Sequence, residues 1–385
     1  MRKATLLLTS TLTVMSGALI APALPRMEAA FAETEYVALL TRLVLTVPAL
    51  VIALFSPVAG WLIDRFGKIR LFLAAMAIYA IAGSAGFGLE DLYQILLSRA
   101  ILGLSVALIM TTGTTLIGDY YEGEERNAFI GIQGAFMAFG GTVFVSISGL
   151  LADLNWRYPF LVYAFGWVVL VLVWRYLPEP KKTINTEDSA SEQAEAAHFP
   201  KAQRPWLILV YISAFVSMVM FYFIPVQSPF LMQSIGVERS SLQSLGLVLT
   251  TLVAALVAIN FGRLKQRMNF AQLYISCFGL MALGFVLVSL WPSFVGILIA
   301  MAIAGMGAGL IMPTATTCLM QIAPPALRGR IIGGMTSLVF LGQFASPLIS
   351  QPLVNASSLA QAHLWAAVAV VPLIVIWMVM GRRRR

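Results

Sequence analysis

"LIMTTGTT", residues 108–115, returns as "LIMPTATT" at residues 310–317. The same shift of 202 positions carries Gly60 onto Gly262, Arg65 onto Arg267, Arg126 onto Arg328, Ile130-Gly131 onto Ile332-Gly333 and Gly140 onto Gly342. One constant offset over so long a stretch marks a duplicated unit. The copies differ in charge. Asp64 becomes Gln266, Asp119 becomes Gln321 and Arg99 becomes Met301, so charge-based work is expected in the first half. Between the copies lies "LPEPKKTINTEDSASEQAEAAHFPKAQRP", residues 177–205, the one long polar stretch. Its Glu, Ala, Ser and Lys content cannot bury a core and reads as a linker. The expected units are residues 1–177 and 206–385, joined by a linker over 178–205.

Composition sets the surroundings. Of the 385 residues 59% are hydrophobic and 11% charged, against about 25% charged in a soluble domain. The apolar residues fall into runs of twenty or so, and in hydrocarbon only a helix or a closed barrel satisfies the backbone. The short alternating strands of a barrel are absent from the pattern. Twelve spans are expected, near 4–25, 37–62, 71–89, 93–117, 128–151, 158–177, 206–230, 241–261, 271–290, 294–319, 331–352 and 362–381. Met1-Arg2-Lys3 and "APA" (21–23) imitate a signal peptide, but the apolar run is longer than a signal core and completes a half of six. The fold class is therefore an all-α membrane protein of twelve transmembrane helices in two six-helix bundles.

Alternate loops collect the basic residues, among them Arg65, Lys68, Arg70, Arg126, Lys181, Lys182, Arg263, Arg328, Arg330 and Arg382 to Arg385. The other loops hold Arg26, Arg157 and Arg239. This bias predicts that both termini are cytoplasmic. The net charge of +8 then reports topology. Bases scattered over short loops argue against nucleic-acid binding.

Ionisable residues within spans are functional candidates because burying them is costly. Arg42 sits in the second span and Arg99 in the fourth, while Asp64 and Asp119 mark the linker-side ends of those spans. Arg99 has two readings: a cavity residue for an anion or proton relay, or a structural arginine bonded to carbonyls. Arg42 either serves substrate or proton, or reaches outward to the headgroups. With two arginines and no mid-span acid, a net-positive cavity is expected, favouring neutral or anionic amphipathic compounds, and a coupled proton would be carried by Asp64, Asp119, a peripheral acid such as Glu28 or Glu35, or the substrate itself. Thr112, Gln133, Tyr211, Tyr222, Thr314 and Gln343 are candidate lining residues, although Thr and Ser also bond their own helices. The run Met218 to Phe223 suits an adaptable pocket. Cys277 and Cys318 read as packing residues, and neither His198 nor His363 has metal-ligand spacing, so no metal and no cofactor is expected. Nucleophile elbows, phosphate loops and paired carboxylates are missing, which argues against an enzyme.

The stretch "GWLIDRFGKIR" (60–70), with Gly60, Asp64, Arg65, Gly67, Lys68 and Arg70 between the second and third spans, resembles a motif of the major facilitator superfamily. Arg99 with Gly103, "GDYYEGEERNAF" (118–129) and "GLLADLNWRYPF" (149–160) are similar to further motifs of that superfamily. The resemblance covers the chain. It implies two bundles related by a pseudo-two-fold axis, with a central substrate site worked by alternating access. The nearest likeness is to the bacterial twelve-helix drug-efflux group, which implies export of small amphipathic compounds with proton coupling. The fifth span departs from that group's pattern: Phe144-Val145 stand where Gly-Pro is usual, and Ser148-Gly149 replace the final glycine pair. Import of an organic anion, and a transport-silent sensor or lipid-handling role, are the alternatives. The resemblance also implies a latch that closes the linker side. In it Asp64 meets the eleventh helix near Gly333 and Gly334, and Lys68 pairs with Asp119. A small molecule, protons and membrane lipids are the expected partners, with a monomer in the bacterial cytoplasmic membrane.

Overall fold

In the computed structural model the described residues are 1–180 and 199–382, apart from the side chains of Asp64, Asn127 and Ala202. The centre of the expected linker, with His198, and the three final arginines lie outside them. Among the described residues all regular structure is helical.

Among the described residues twelve helical stretches are long and apolar enough to cross a membrane. Spans 1 to 6 are Arg2–Ala30, Val37–Ile63, Lys68–Phe87, Leu92–Tyr120, Gly123–Leu154 and Tyr158–Tyr176. Spans 7 to 12 are Arg204–Ser234, Ser240–Ile259, Phe270–Leu290, Phe294–Ile322, Pro325–Ala356 and Leu359–Arg382. Each matches an expected span to within six residues at either end. An even count puts the N-terminus, the linker and the end of span 12 on one face, the linker face. The opposite face is the far face.

The duplication extends to helix ends and helix contacts. Asp91 accepts from the N–H of Gln94 at the start of span 4, and Ser293, its repeat counterpart, accepts from Gly296 at the start of span 10. These caps satisfy donors that a helix start leaves free. Gly103 lets span 4 press on span 2, where an added Cβ would lie 2.6 Å from the Pro48 carbonyl. Gly305 does the same against the Thr250 carbonyl, also at 2.6 Å. Pro48 and Thr250 are themselves one repeat apart, so both bundles share this backbone-to-backbone packing.

The copies diverge where spans 3 and 9 begin. Asn269 caps span 9 from within, through a capping box with Gln272. Its counterpart is Gly67, held at φ +88°, where L side chains are strained. Here the carboxylate of Glu179, just beyond span 6, supplies the cap and accepts from the N–H groups of Lys68 and Ile69 at 2.7 and 3.0 Å.

Span 1 is interrupted by its own sequence. Pro22 and Pro25 cannot donate, and the chain passes through a short 3-10 turn at Ala21–Ala23. Ala23 then bonds Ile20, not Leu19. The freed Leu19 carbonyl accepts from the Ser148 hydroxyl of span 5. Ser148, one of the two departures noted in the fifth span, thus repairs a backbone break. Across the bundles, span 2 packs on span 11 and span 5 on span 8.

Candidate substrate cavity and its gates

A cavity of about 330 Å3 lies between the bundles. Spans 1, 4, 5, 7, 8, 10 and 11 contribute to its wall. Met110, Met137, Met218 and Met312 give it flexible thioether surface, and Phe221, Tyr222 and Phe340 give it rings. Adjoining it is a side pocket of about 70 Å3 among Thr9, Ser10, Thr13, Thr114 and Gln133. Thr13, Met110 and Met137 belong to both walls. No charged side chain lines either space among the described residues.

The far side of the cavity is shut. Gly17 of span 1 carries no side chain, and Tyr222 of span 7 and Gln343 of span 11 close over it. A Cβ there would lie 2.4 Å from the Tyr222 hydroxyl and 3.1 Å from the Gln343 amide nitrogen. Thr142 and Thr251 meet across spans 5 and 8 at 3.3 Å. Farther out, Gly149 lets the start of span 8 approach until a Cβ would sit 2.6 Å from the Ser244 hydroxyl. The Ser241 N–H donates to Asp153 at 3.3 Å.

Arg42 completes this closure. It is 3% exposed. One terminal nitrogen pairs with Glu28 at 2.6 Å, and Nε donates to the Gln227 side chain at 3.1 Å. Its guanidinium lies 3.7 Å from the centre of the Phe230 ring. Gln227 in turn donates to Ser350 at 2.9 Å. A polar chain therefore runs from spans 1 and 2 through span 7 to span 11. Removing one partner of such a buried set leaves the others unsatisfied.

The linker side is open. Added Cβ atoms at Gly60, Gly131, Gly134, Gly262 and Gly333 would meet nothing within 4 Å. A crevice of about 760 Å3 separates span 5 from span 8 there, walled by Ile130, Ala135, Phe139, Ala255 and Ile259 among others. Leu54 and Trp61 of span 2 are exposed.

Only some of the candidate lining residues come together. Gln133, Tyr222 and Gln343 line the cavity or its side pocket. Thr112 and Thr314, repeat counterparts, are fully buried inside their own bundles. Tyr211 donates to the Ile331 carbonyl at 2.7 Å and binds span 7 to span 11. Arg99 is also fully buried. It donates to the Ala82 carbonyl at 3.3 Å and to the Gly83 carbonyl, with the Phe160 and Tyr163 rings each 4.8 Å away. The expected net-positive cavity is therefore not found. Arg99 faces spans 3 and 6, and Arg42 belongs to the far closure. The second copy fills the Arg99 position with Met301, beside the His363 ring, which packs against Phe223 and Phe285.

The motif around Gly60 is partly assembled. Lys68 and Asp119 pair at 2.8 Å. Arg65 lies 5.4 Å from the Trp61 ring, and Arg70 is exposed. The Asp64 side chain is outside the described ones. An added Cβ at Gly60 would meet nothing within 4 Å, so this glycine makes no close helix contact while the linker side is open. Gly334 is approached by the Tyr211 hydroxyl, 2.8 Å from where its Cβ would be. Glu28 is one of the peripheral acids that the sequence offers as proton carriers, whereas Glu179, Phe230 and the cavity methionines outside span 7 carried no distinguishing sequence signal. Each matters through a partner distant in the chain.

Two six-helix bundles around a central cavity, closed at one face and open at the other, make this a membrane transporter by architecture. A family model described as "Major Facilitator Superfamily" matches residues 6–347, and the chain belongs to that superfamily. It is 24% identical over 357 residues to the bacillibactin exporter of Bacillus subtilis (strain 168), covering 89% of this chain and 87% of that one. It is 22% identical to the multidrug transporter protein MdtP of the same organism, covering 88% and 75%. A solved bacterial homolog of the human lysosomal transporter Spinster, inward-facing and occupied, matches with a TM-score of 0.77 and 18% identity, covering 99% and 96% of the two chains. These relatives are transporters, and the chain is not an enzyme.

Proposed function

We propose that this chain exports small amphipathic compounds by alternating access, coupled to protons, from the cytoplasmic membrane of a bacterium. The observation that carries the reading is the uncharged, methionine- and aromatic-lined cavity, shut at the far face and open at the linker face. An adaptable apolar wall suits compounds of varied shape. Similarity to an exporter and a multidrug transporter supports the direction. With both termini and the linker cytoplasmic, as the loop charges favour, the conformation is inward-facing. Residues 1–177 and 206–385 are the two moving units, acting as a monomer among membrane lipids.

In this reading Arg42 and Gln227 form the outer gate. Glu28, the acid in contact with Arg42, is the favoured proton site, since neutralising it removes the counter-charge of a buried cation. Gly60, Asp64, Arg65, Gly67, Lys68, Arg70 and Asp119 form the inner latch with Gly333 and Gly334 once the linker side closes. The organic-anion alternative draws no support from a cavity that no arginine lines.

The test is flux of an uncharged fluorescent amphipath in proteoliposomes, with and without an imposed proton gradient. Export accelerated by the gradient, and slowed by Glu28→Gln, is the expected result. Flux indifferent to the gradient would remove the proton-coupled reading.

A further inference from the structure

We infer that the side pocket beside the cavity is an acceptor-rich subsite, which selects uncharged compounds bearing an O–H or N–H group. The inference rests on the reading that this cavity holds the transported compound.

A serine or threonine hydroxyl has one proton and two acceptor lone pairs. In a helix that proton is readily given to a carbonyl three or four residues back. Thr9 and Ser10 both donate to the Leu6 carbonyl, at 2.7 and 3.0 Å. Thr13 donates to Ser10 at 2.8 Å, and Thr114 to Met110 at 2.9 Å. Four hydroxyls in the pocket wall have thus already spent their protons. Gln133 gives one N–H to the Ser10 hydroxyl at 2.7 Å. What the wall offers a guest is therefore lone pairs, plus one remaining amide N–H. In the larger cavity Ser16, Thr251 and Thr336 likewise donate to backbone carbonyls of their own helices, while the Tyr222 hydroxyl and the Gln343 amide at its far end are donor-bearing groups.

This arrangement discriminates by chemistry. A guest O–H or N–H meets several acceptors. A carboxylate or an ether brings only lone pairs, and in the side pocket it finds one free donor, the second Gln133 amide N–H, among several acceptors. An ammonium finds acceptors but no carboxylate among the described lining residues, so its charge enters the cavity without a counter-ion. Alcohols, phenols and amides with an apolar body satisfy both spaces: the head in the hydroxyl pocket, the body among Met110, Met137 and the aromatic rings. The selection keeps the neutral part of the expected range of compounds and drops the anionic part.

Four probes sharing a naphthalene body test it: naphthol, methoxynaphthalene, naphthoate and naphthyl trimethylammonium. Binding is measured calorimetrically on the full chain in nanodiscs without a gradient, referenced to empty nanodiscs. Naphthol should bind about tenfold tighter than methoxynaphthalene, the scale of one neutral hydrogen bond, with the two charged probes weaker still. In a Thr9→Val, Thr13→Val double variant, which keeps the side-chain shape and removes two of the acceptor hydroxyls, the preference for naphthol over methoxynaphthalene should narrow. Equal binding in the unaltered protein, a preference undiminished in the double variant, tightest binding of either charged probe, or no binding of any probe would each overturn the inference. A protein that binds with the stated preference yet moves no probe across a membrane would uphold this subsite and sink the export reading instead.

Discussion

Weakening the Arg42 closure should tip the transporter toward opening at its far face. Two interactions there cross between the bundles. The guanidinium lies 3.7 Å from the Phe230 ring centre with both groups under 10% exposed, and a desolvated contact of this kind contributes about 1–2 kcal/mol. The hydrogen bond from Arg42 to Gln227 at 3.1 Å has a charged donor and contributes about 1.5 kcal/mol or more. Phe230→Leu keeps an apolar side chain but loses the ring face, while Gln227→Ala removes the acceptor. Together they should cost the closed state about 3 kcal/mol, roughly a hundredfold in its ratio to the open state. If the far-open state begins near 1% of the population, the double variant should hold about half. Spin labels at Glu33→Cys and Ala356→Cys, exposed positions on the far side of opposite bundles, read this as a second, longer distance. The native Cys277 and Cys318 are buried and will not compete for label. A distance distribution unchanged in a folded double variant would refute the assignment of Arg42 as a cross-bundle gate.

Three further outcomes are expected. Gly17→Ala puts a methyl against the Tyr222 hydroxyl, and overpacking of about 1–3 kcal/mol should shift the same label pair toward the open distance. Arg99→Met copies the second bundle's solution at Met301. A buried cation with no carboxylate beside it is a stability liability, so thermal unfolding should rise or hold for Arg99→Met and fall for Arg99→Ala, which leaves a cavity; a lower midpoint for the methionine variant would count against this account. Lys68 and Asp119 are about a quarter exposed, so their coupling in a double-mutant cycle should stay below about 1 kcal/mol and shrink with salt. Asp119→Asn should therefore slow transport far more than it lowers the unfolding midpoint, and equal losses would argue for a merely structural pair.

The repeat of "LIMTTGTT" and the apolar runs were sufficient for twelve spans and two copies, because both signals are local or periodic. In hydrocarbon a helix must satisfy its own backbone, so span positions follow from composition alone. The caps at Asp91 and Ser293 and the packing at Gly103 and Gly305 obey the same offset, since duplicated backbones bring equivalent residues together. The destination of a side chain around its helix was another matter. Arg42 and Arg99 look alike in sequence, each an arginine several residues inside a span. One reaches across to span 7; the other turns inward to the carbonyls of span 3. Thr112 and Gln133 were equal candidates, yet only Gln133 faces the cavity. Such differences depend on helix rotation and on which neighbour approaches, and packing between distant segments sets both. The sequence by itself determined the membrane, the spans and the duplication. Tertiary structure decided that no charged side chain lines the cavity among the described residues, and that Arg42 meets Gln227 and Phe230 at its far side, because both depend on contacts between residues far apart in the chain.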